Sequence, residues 1–446
     1  MASDENNKRL LKACRAGDPE KVLQWLEKGA DSNTQVQKGE YTHTPLFLAC
    51  KKKDLETIPI LLDYGADPTM RIRHMNTKGE TMVHVIAAGC GNVECLQLFL
   101  DWVGSERLEL DAKNEFDRTP LSIASELGDV PVLRLLLENG ANPNVMDDNG
   151  STPLYWACES VDSDEAIPLL LEKGADPTLP NNSGITPFHA ACGRGRGCAE
   201  TIRLLLDHPD VNVNLTTRED HSTPLHFACE GTDNEECIQF LLDQGADLTL
   251  TDKDENTPVH IATMDAESDY LEILSGHSDF EAVVNTQNAK LETPLILACK
   301  YVGYSDRRRE KERCIRCLLD NGANPDIQDK NDETPLHILC KQYGNTKLVE
   351  LLFEFDAEPI LEDVRGNTLL HNACLRGDPN CVRVLLDYDV IRNSKNKDGK
   401  TPLRVAIERR NKKCARIMKG HLSDLEMSRE EEKEEKEPPA KRRRRH

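Results

Sequence analysis

"TPLHFAC", residues 223–229, decides how this chain is read. His226 stands three residues before Cys229, a spacing that puts imidazole and thiol on one face of a helix. Such a pair could be half of a metal site, or a nucleophile beside its base. The same arrangement recurs in "TPFHAAC" (186–192), "TPLHILC" (334–340) and "TLLHNAC" (368–374). Four copies in one chain raise the question of whether the pair is chemistry or architecture.

The threonine that opens the motif falls at Thr44, Thr81, Thr119, Thr152, Thr186, Thr223, Thr257, Thr293, Thr334, Thr368 and Thr401, at intervals of 33 to 41 residues. That is the period of a repeat architecture. A second landmark follows the first, as in "LLDYGADP" (61–68), "LLLENGANP" (135–143), "LLLEKGADP" (169–177) and "LLDNGANP" (318–325). An opening segment, "RLLKACRAGDPEKVLQWLEKGAD" (9–31), carries both helical patterns without Thr-Pro, which makes twelve repeats. In each, Thr caps a short helix of small residues and Pro occupies its first turn, where a missing N–H costs nothing. A turn leads to a second, leucine-rich helix, and Gly ends it. One repeat cannot bury its own apolar face, so the repeats must stack.

Period, Thr-Pro-Leu-His opening and Gly-Ala-Asp ending together resemble the ankyrin repeat family over roughly residues 7–418. Thr81-Met82 and Thr368-Leu369 depart from the pattern by lacking the proline. The resemblance implies an all-α solenoid of about twelve helix-turn-helix-loop units. An N-terminal extension (1–6) precedes the array and a disordered charged tail (419–446) follows it. It also implies that His84, His189, His226, His260, His337 and His371 bond locally and tie neighbouring repeats together, with Cys replacing a small Ala. Neighbouring helices lie about 8–10 Å apart and zinc bonds run about 2.0–2.3 Å, so adjacent pairs cannot share a metal without large backbone movement. The expectation is no metal and no cofactor.

Other motifs are weaker. "CIRC" (314–317) lies in a leucine-type helix rather than after a strand, so a core thiol is weighed against a redox pair. "GRGRG" (193–197) has no strand before it and reads as an inter-helix turn. The chain has no Walker A loop, no Gly-x-Ser-x-Gly elbow and no His-Glu-x-x-His, and nothing in it calls for catalysis. The ninth repeat carries a basic insert, "SDRRREKER" (305–313), either a solvated helix extension or a contact for an acidic partner or phosphate. Repeat eight, "TPVHIATMDAESDYLEILSGHSD" (257–279), lacks the Gly-Ala-Asp ending and is expected to open more readily than its neighbours. Asn144 and Asn214 occupy loop positions that, by the resemblance, an asparaginyl hydroxylase could modify.

The formal charge is −22. Residues 421–446 contain eight acids and eight bases, leaving 48 bases against 70 acids in the body. That balance disfavours nucleic acid and favours basic or mixed-charge protein segments. Sixteen cysteines without a secretory leader read as reduced thiols, and no apolar run is long enough to span a bilayer. In the ankyrin arrangement the loop fingers and first helices line a concave face. The candidate partner-binding residues there are Glu115, Phe116, Arg118, Asp148, Glu159, Arg194, Glu230, Asp252, Asp254, Lys300, Tyr301, Asp329 and Tyr343.

The tail passes through "SREEEKEEKE" (428–437) and Pro438-Pro439 to Lys441, Arg442, Arg443, Arg444 and Arg445, which resembles a nuclear import signal read by an import receptor. The sequence therefore predicts a non-enzymatic adaptor or scaffold, present in nucleus and cytoplasm, that grips a protein segment, with no small-molecule substrate and no membrane. Two other readings stay open: a transcription co-regulator resembling nuclear inhibitors of Rel-type factors, and a substrate adaptor of a ubiquitin ligase.

Overall fold

The computed structural model describes residues 2–39, 41–74, 77–160, 165–195, 198–265, 267–301, 308–388 and 390–421. The chain divides into two compact units, Met1–Ala246 and Asp247–His446. Among its described residues the first holds seven helix pairs, from Ala2–Ala16 with Pro19–Glu27 to Pro224–Glu230 with Glu235–Asp243. Among its described residues the second holds five, from Pro258–Met264 with Ser268–Ser275 to Pro402–Glu408 with residues 412–421. The expected twelve repeats are thus all present. Among the described residues no helix is long and apolar enough to cross a membrane.

Local sequence explains each pair. Thr44, Thr119, Thr152 and Thr223 sit in extended backbone and accept a hydrogen bond from the third helical N–H, with Pro following. Thr81 and Thr368 still cap helices without the proline. The second helices bury their leucines: Leu133, Leu136 and Leu137 in Val130–Glu138, Leu241 and Leu242 in Glu235–Asp243. Gly140 follows with φ of 90°, a conformation that only glycine adopts without strain. Cys50, Cys158, Cys192, Cys229, Cys299, Cys340 and Cys374 are fully buried in the small-residue slot of the first helices. Cys381 Sγ lies 3.6 Å from Cys340 Sγ, so thiols of successive repeats also meet.

Two features go beyond the helix pairs. In the first unit the two leading fingers fold into antiparallel hairpins, Val36–Lys38 with Tyr41–His43 and Ile72–His74 with Thr77–Glu80. In the second unit the short helix Ser268–Ser275 is supplemented by a further turn, Phe280–Val283, which buries Phe280, Val283 and Val284. That turn supplies the apolar cover that the missing Gly-Ala-Asp ending would otherwise have framed.

Candidate functional site

The histidines are architectural. In every His repeat the Thr N–H is directed at His Nδ1, with the Thr hydroxyl 2.8–2.9 Å from the same nitrogen. Nδ1 must therefore accept, and the ring proton sits on Nε2. From there it reaches a carbonyl of the following repeat: His84 to Arg118 (3.1 Å), His189 to Leu215 (2.9 Å), His260 to Glu292 (3.1 Å) and His371 to Lys400 (2.9 Å). Both nitrogens of these four rings are engaged in stacking the repeats. Burial drives the pKa of His84, His189, His260 and His337 down to about 4, and that of His371 down as well. The thiol beside His371 is likewise held neutral, burial pushing Cys374 well up.

The fingers owe their shape to one side chain each. Asp147 Oδ1 accepts the N–H groups of Asn149 and Ser151, Asp252 those of Asp254 and Asn256, and Asp329 those of Asn331 and Glu333. Asn114, Asn181 and Asn288 do the same in other repeats. This is local side-chain capping of a turn. Adjacent fingertips are then chained by backbone bonds, Asp148 N–H to Phe116 O and Asn182 N–H to Asn149 O in the first unit, Val364 N–H to Asn331 O and Lys397 N–H to Arg365 O in the second.

Each unit presents its own selection of the predicted residues. In the first, Glu115, Phe116, Asp148, Glu159 and Glu230 are exposed, with Phe116 at 48%. Arg118 is half-buried, lying 4.4 Å over the Trp156 ring and 2.7 Å from Glu126. Arg194 donates to the Ser160 carbonyl at 2.9 Å. Glu159, Arg194 and Glu230 come together around one cavity of about 310 Å³, walled by Tyr155, Ile185 and Phe227. Trp156, Tyr155 and Phe227 belong to this surface and were not among the sequence candidates. The signals that could have found them are "TPLYWAC" (152–158), where Tyr155 takes the His slot with Trp156 after it, and the Phe227 that follows His226 in "TPLHFAC".

In the second unit Asp254 and Tyr343 are exposed, Tyr343 at 56% with its hydroxyl donating to Gly377 O at 3.1 Å. Asp252 and Asp329 are finger-shaping residues first. Asp329 is only 2% exposed and pairs with Lys300 at 2.9 Å. Lys300 also bonds Glu292, and Lys341 bonds Glu333 and faces Asp363. Burial works against the Lys300 charge, but its carboxylate partners outweigh it and its pKa is raised; burial of Asp329 is likewise outweighed by Lys300 and the loop N–H groups, and its carboxyl is held low. Tyr301 closes the helix Pro294–Tyr301; its side chain lies outside the described residues. So do Lys441–Arg445, and residues 302–307 of the basic insert. Within that insert Lys311 is buried, and Arg313 pairs with Asp269 and Glu272, both at 2.9 Å. Cys314 and Cys317 sit on one helix, and burial raises both thiols, Cys314 to about 12.

Comparison with known proteins agrees with this construction. A family model for ankyrin repeats in three copies matches residues 10–106, 85–181, 165–252, 233–306, 307–390 and 342–428. The human transient receptor potential cation channel subfamily A member 1 is 27% identical over 482 aligned positions, covering 95% of this chain and 38% of the channel subunit. Dog inversin is 32% identical over 208 positions, 44% of this chain and 18% of inversin. The chicken nuclear factor NF-kappa-B p105 subunit is 28% identical over 191 positions, 42% and 18% respectively. The chain therefore spans well under half the length of these relatives. Ankyrin repeats are scaffolds that bind protein partners, and this chain, matched by the family model along almost its whole length, belongs to the ankyrin repeat family.

Proposed function

We propose that the chain is a non-enzymatic adaptor or scaffold that holds a segment of a partner protein along its fingertips and first-helix ends. One observation carries this reading. The buried positions repeat from one helix pair to the next, whereas the exposed ones vary: the second residue after the finger-shaping Asp or Asn is Phe116, Asn149, Asp254, Lys290 or Arg365 in different repeats, exposed each time. A surface that the fold does not constrain, mounted on rigid helices, is where recognition is placed. Phe116 and Tyr343 add the large amphipathic contacts on which interfaces concentrate energy.

Proximity labelling with the intact chain, against a variant carrying Phe116→Ser, Asp148→Lys, Asp254→Lys and Tyr343→Ser, tests the reading. A set of neighbours lost only in the variant supports it, and identical profiles refute it. We further propose that Lys441–Arg445 engage an import receptor and give the protein access to nucleus and cytoplasm; deleting 441–445 should abolish nuclear fluorescence of a tagged chain, and an unchanged distribution removes the claim. A second reading, a transcription co-regulator resembling inhibitors of Rel-type factors, draws on the likeness to the p105 subunit. A ubiquitin-ligase adaptor draws on 25% identity over 339 positions with the Arabidopsis E3 ubiquitin-protein ligase KEG.

A further inference from the structure

Charge is unevenly spread along the array. The formal total is −22, yet residues 391–421, which form the last repeat, carry eleven lysines and arginines against only Asp398 and Glu408. Nine of those eleven bases are exposed, so this end of an acidic chain presents positive charge to solvent.

Part of that charge lines a cavity of about 370 Å³ between the last two repeats. Arg365 comes from one fingertip and Lys397 from the next, and the two tips are chained by the bond from Lys397 N–H to Arg365 O at 2.9 Å. Arg409 enters from just past the end of the helix Pro402–Glu408. Lys400, in the same lining, is already engaged: it bridges Glu408 at 2.7 Å, and Glu408 also holds Arg404 at 2.9 Å. The side chains of Arg365, Lys397 and Arg409 are exposed and make no hydrogen bond or ion pair among the described residues, which leaves three cations facing Asp398.

The sequence that follows supplies an occupant. Nine residues beyond the helix 412–421, outside the described residues, begins "EEEKEEKE" (430–437), with six glutamates in eight positions. Nine residues of extended chain span about 30 Å, and neighbouring repeats lie about 10 Å apart, so the segment can reach both walls of the cavity.

We propose that this cavity holds carboxylates of residues 430–437 of the same chain, an intramolecular clasp over the last two repeats. One exposed ion pair is weak. Three cations on two fingertips and a helix end act together on a segment tethered at about millimolar effective concentration. The arginine forks match planar carboxylates. Nucleic acid fits less well, because no Phe, Tyr or Trp lines the cavity for a base to stack on. The assignment is independent of the partner held elsewhere on the face. Its consequence is that an outside acidic ligand reaches this end only by displacing the tail.

The test uses the full chain. Carbodiimide, which joins lysine to a touching carboxylate without a spacer, followed by peptide mapping, should link Lys397 to glutamates of 430–437. In Arg365→Gln/Arg409→Gln, altered only at exposed positions, that link should fall roughly three- to tenfold, while links from the tail to Lys419, which report chance collision, stay unchanged. A second variant carries Glu430→Gln, Glu431→Gln, Glu432→Gln, Glu434→Gln, Glu435→Gln and Glu437→Gln. By fluorescence anisotropy it should bind a labelled synthetic peptide of residues 428–437 roughly tenfold more tightly than wild type does, its own segment no longer competing. Links to Lys397 and Lys419 that respond alike, or equal peptide binding by both chains, overturn the clasp. Links found only between isotope-labelled and unlabelled copies overturn it in favour of a second chain. A single-stranded oligonucleotide that binds the second variant in preference to the peptide overturns it in favour of nucleic acid.

Discussion

Acid should unstack this protein well before its carboxylates titrate. His84 and His189 in the first unit, and His260 and His337 in the second, have folded pKa values of about 4 against an ordinary 6.5. A protonated ring cannot accept the Thr N–H at Nδ1, so the folded state refuses the proton that the unfolded chain takes up. Because the folded value is the lower one, stability is complete above about pH 6.5 and falls as pH drops towards about 4, levelling off below. At about pH 5 each ring costs about 2 kcal/mol relative to neutrality, so the two in each unit cost about 4 kcal/mol together, a large share of the roughly 5–15 kcal/mol that holds a domain. Urea unfolding near pH 7.5 and near pH 5, at one ionic strength and followed by far-UV circular dichroism, measures it. The chain also contains its own control. In the repeat opened by Thr119 the slot holds Ser122, whose hydroxyl lies 3.1 Å from that of Thr119. His189→Ser should therefore fold and lose about 2 kcal/mol less than wild type between the two pH values. Equal losses in variant and wild type, or a wild type equally stable at both, would refute the account.

Asn372 is fully buried with neither its amide oxygen nor its amide nitrogen hydrogen-bonded, at a position where other repeats carry Ile261 and Ile338. Asn372→Ile should raise the unfolding free energy by about 1–3 kcal/mol in urea titration, and a loss would show that the amide is satisfied by buried water. Lys300→Met strands Asp329 and Glu292 and should cost about 1–3 kcal/mol, with most of it regained on adding Asp329→Asn and Glu292→Gln; an unchanged midpoint in the single variant argues against the bridge. Mild oxidation with diamide should join Cys340 to Cys381, read by non-reducing peptide mapping. Recovery of both thiols separately alkylated, after oxidation in partial denaturant, would contradict their apposition.

The repeat was legible because its signals are local and redundant: a cap, a proline and a glycine at fixed offsets in repeat after repeat. So was the role of the histidines, since a spacing shared by many repeats cannot be one site. The hairpins at 36–43 and 72–80 were not, because their strands are three or four residues long and lack an apolar alternation. The finger acids were half legible. Asp147, Asp252 and Asp329 look like surface charge, yet their slot holds Asn114, Asn181 and Asn288 elsewhere. What those two residue types share is a side-chain acceptor for the turn, and their alternation is the clue that charge is incidental there. The ion pairs Arg118–Glu126, Glu292–Lys300 and Glu333–Lys341 could not be read at all, since the corner between finger and helix brings their ends together only in three dimensions.

This bears on how the partner's charge is to be inferred. The formal −22 invites a uniformly basic partner. Exposed charges more than about 8–10 Å apart are largely screened at physiological salt, and successive repeats are spaced by about that distance. A ligand on this surface therefore experiences each repeat's local balance rather than the total. In the second unit Lys300 and Lys341 already bridge Glu292, Asp329 and Glu333, so an added cation gains little there and displaces a bond that the fold uses. In the first unit Arg118 already bridges Glu126 in the same way. Attraction for a basic segment is therefore set repeat by repeat, by how much of each carboxylate the fold's own pairs leave to a ligand, rather than by the total charge.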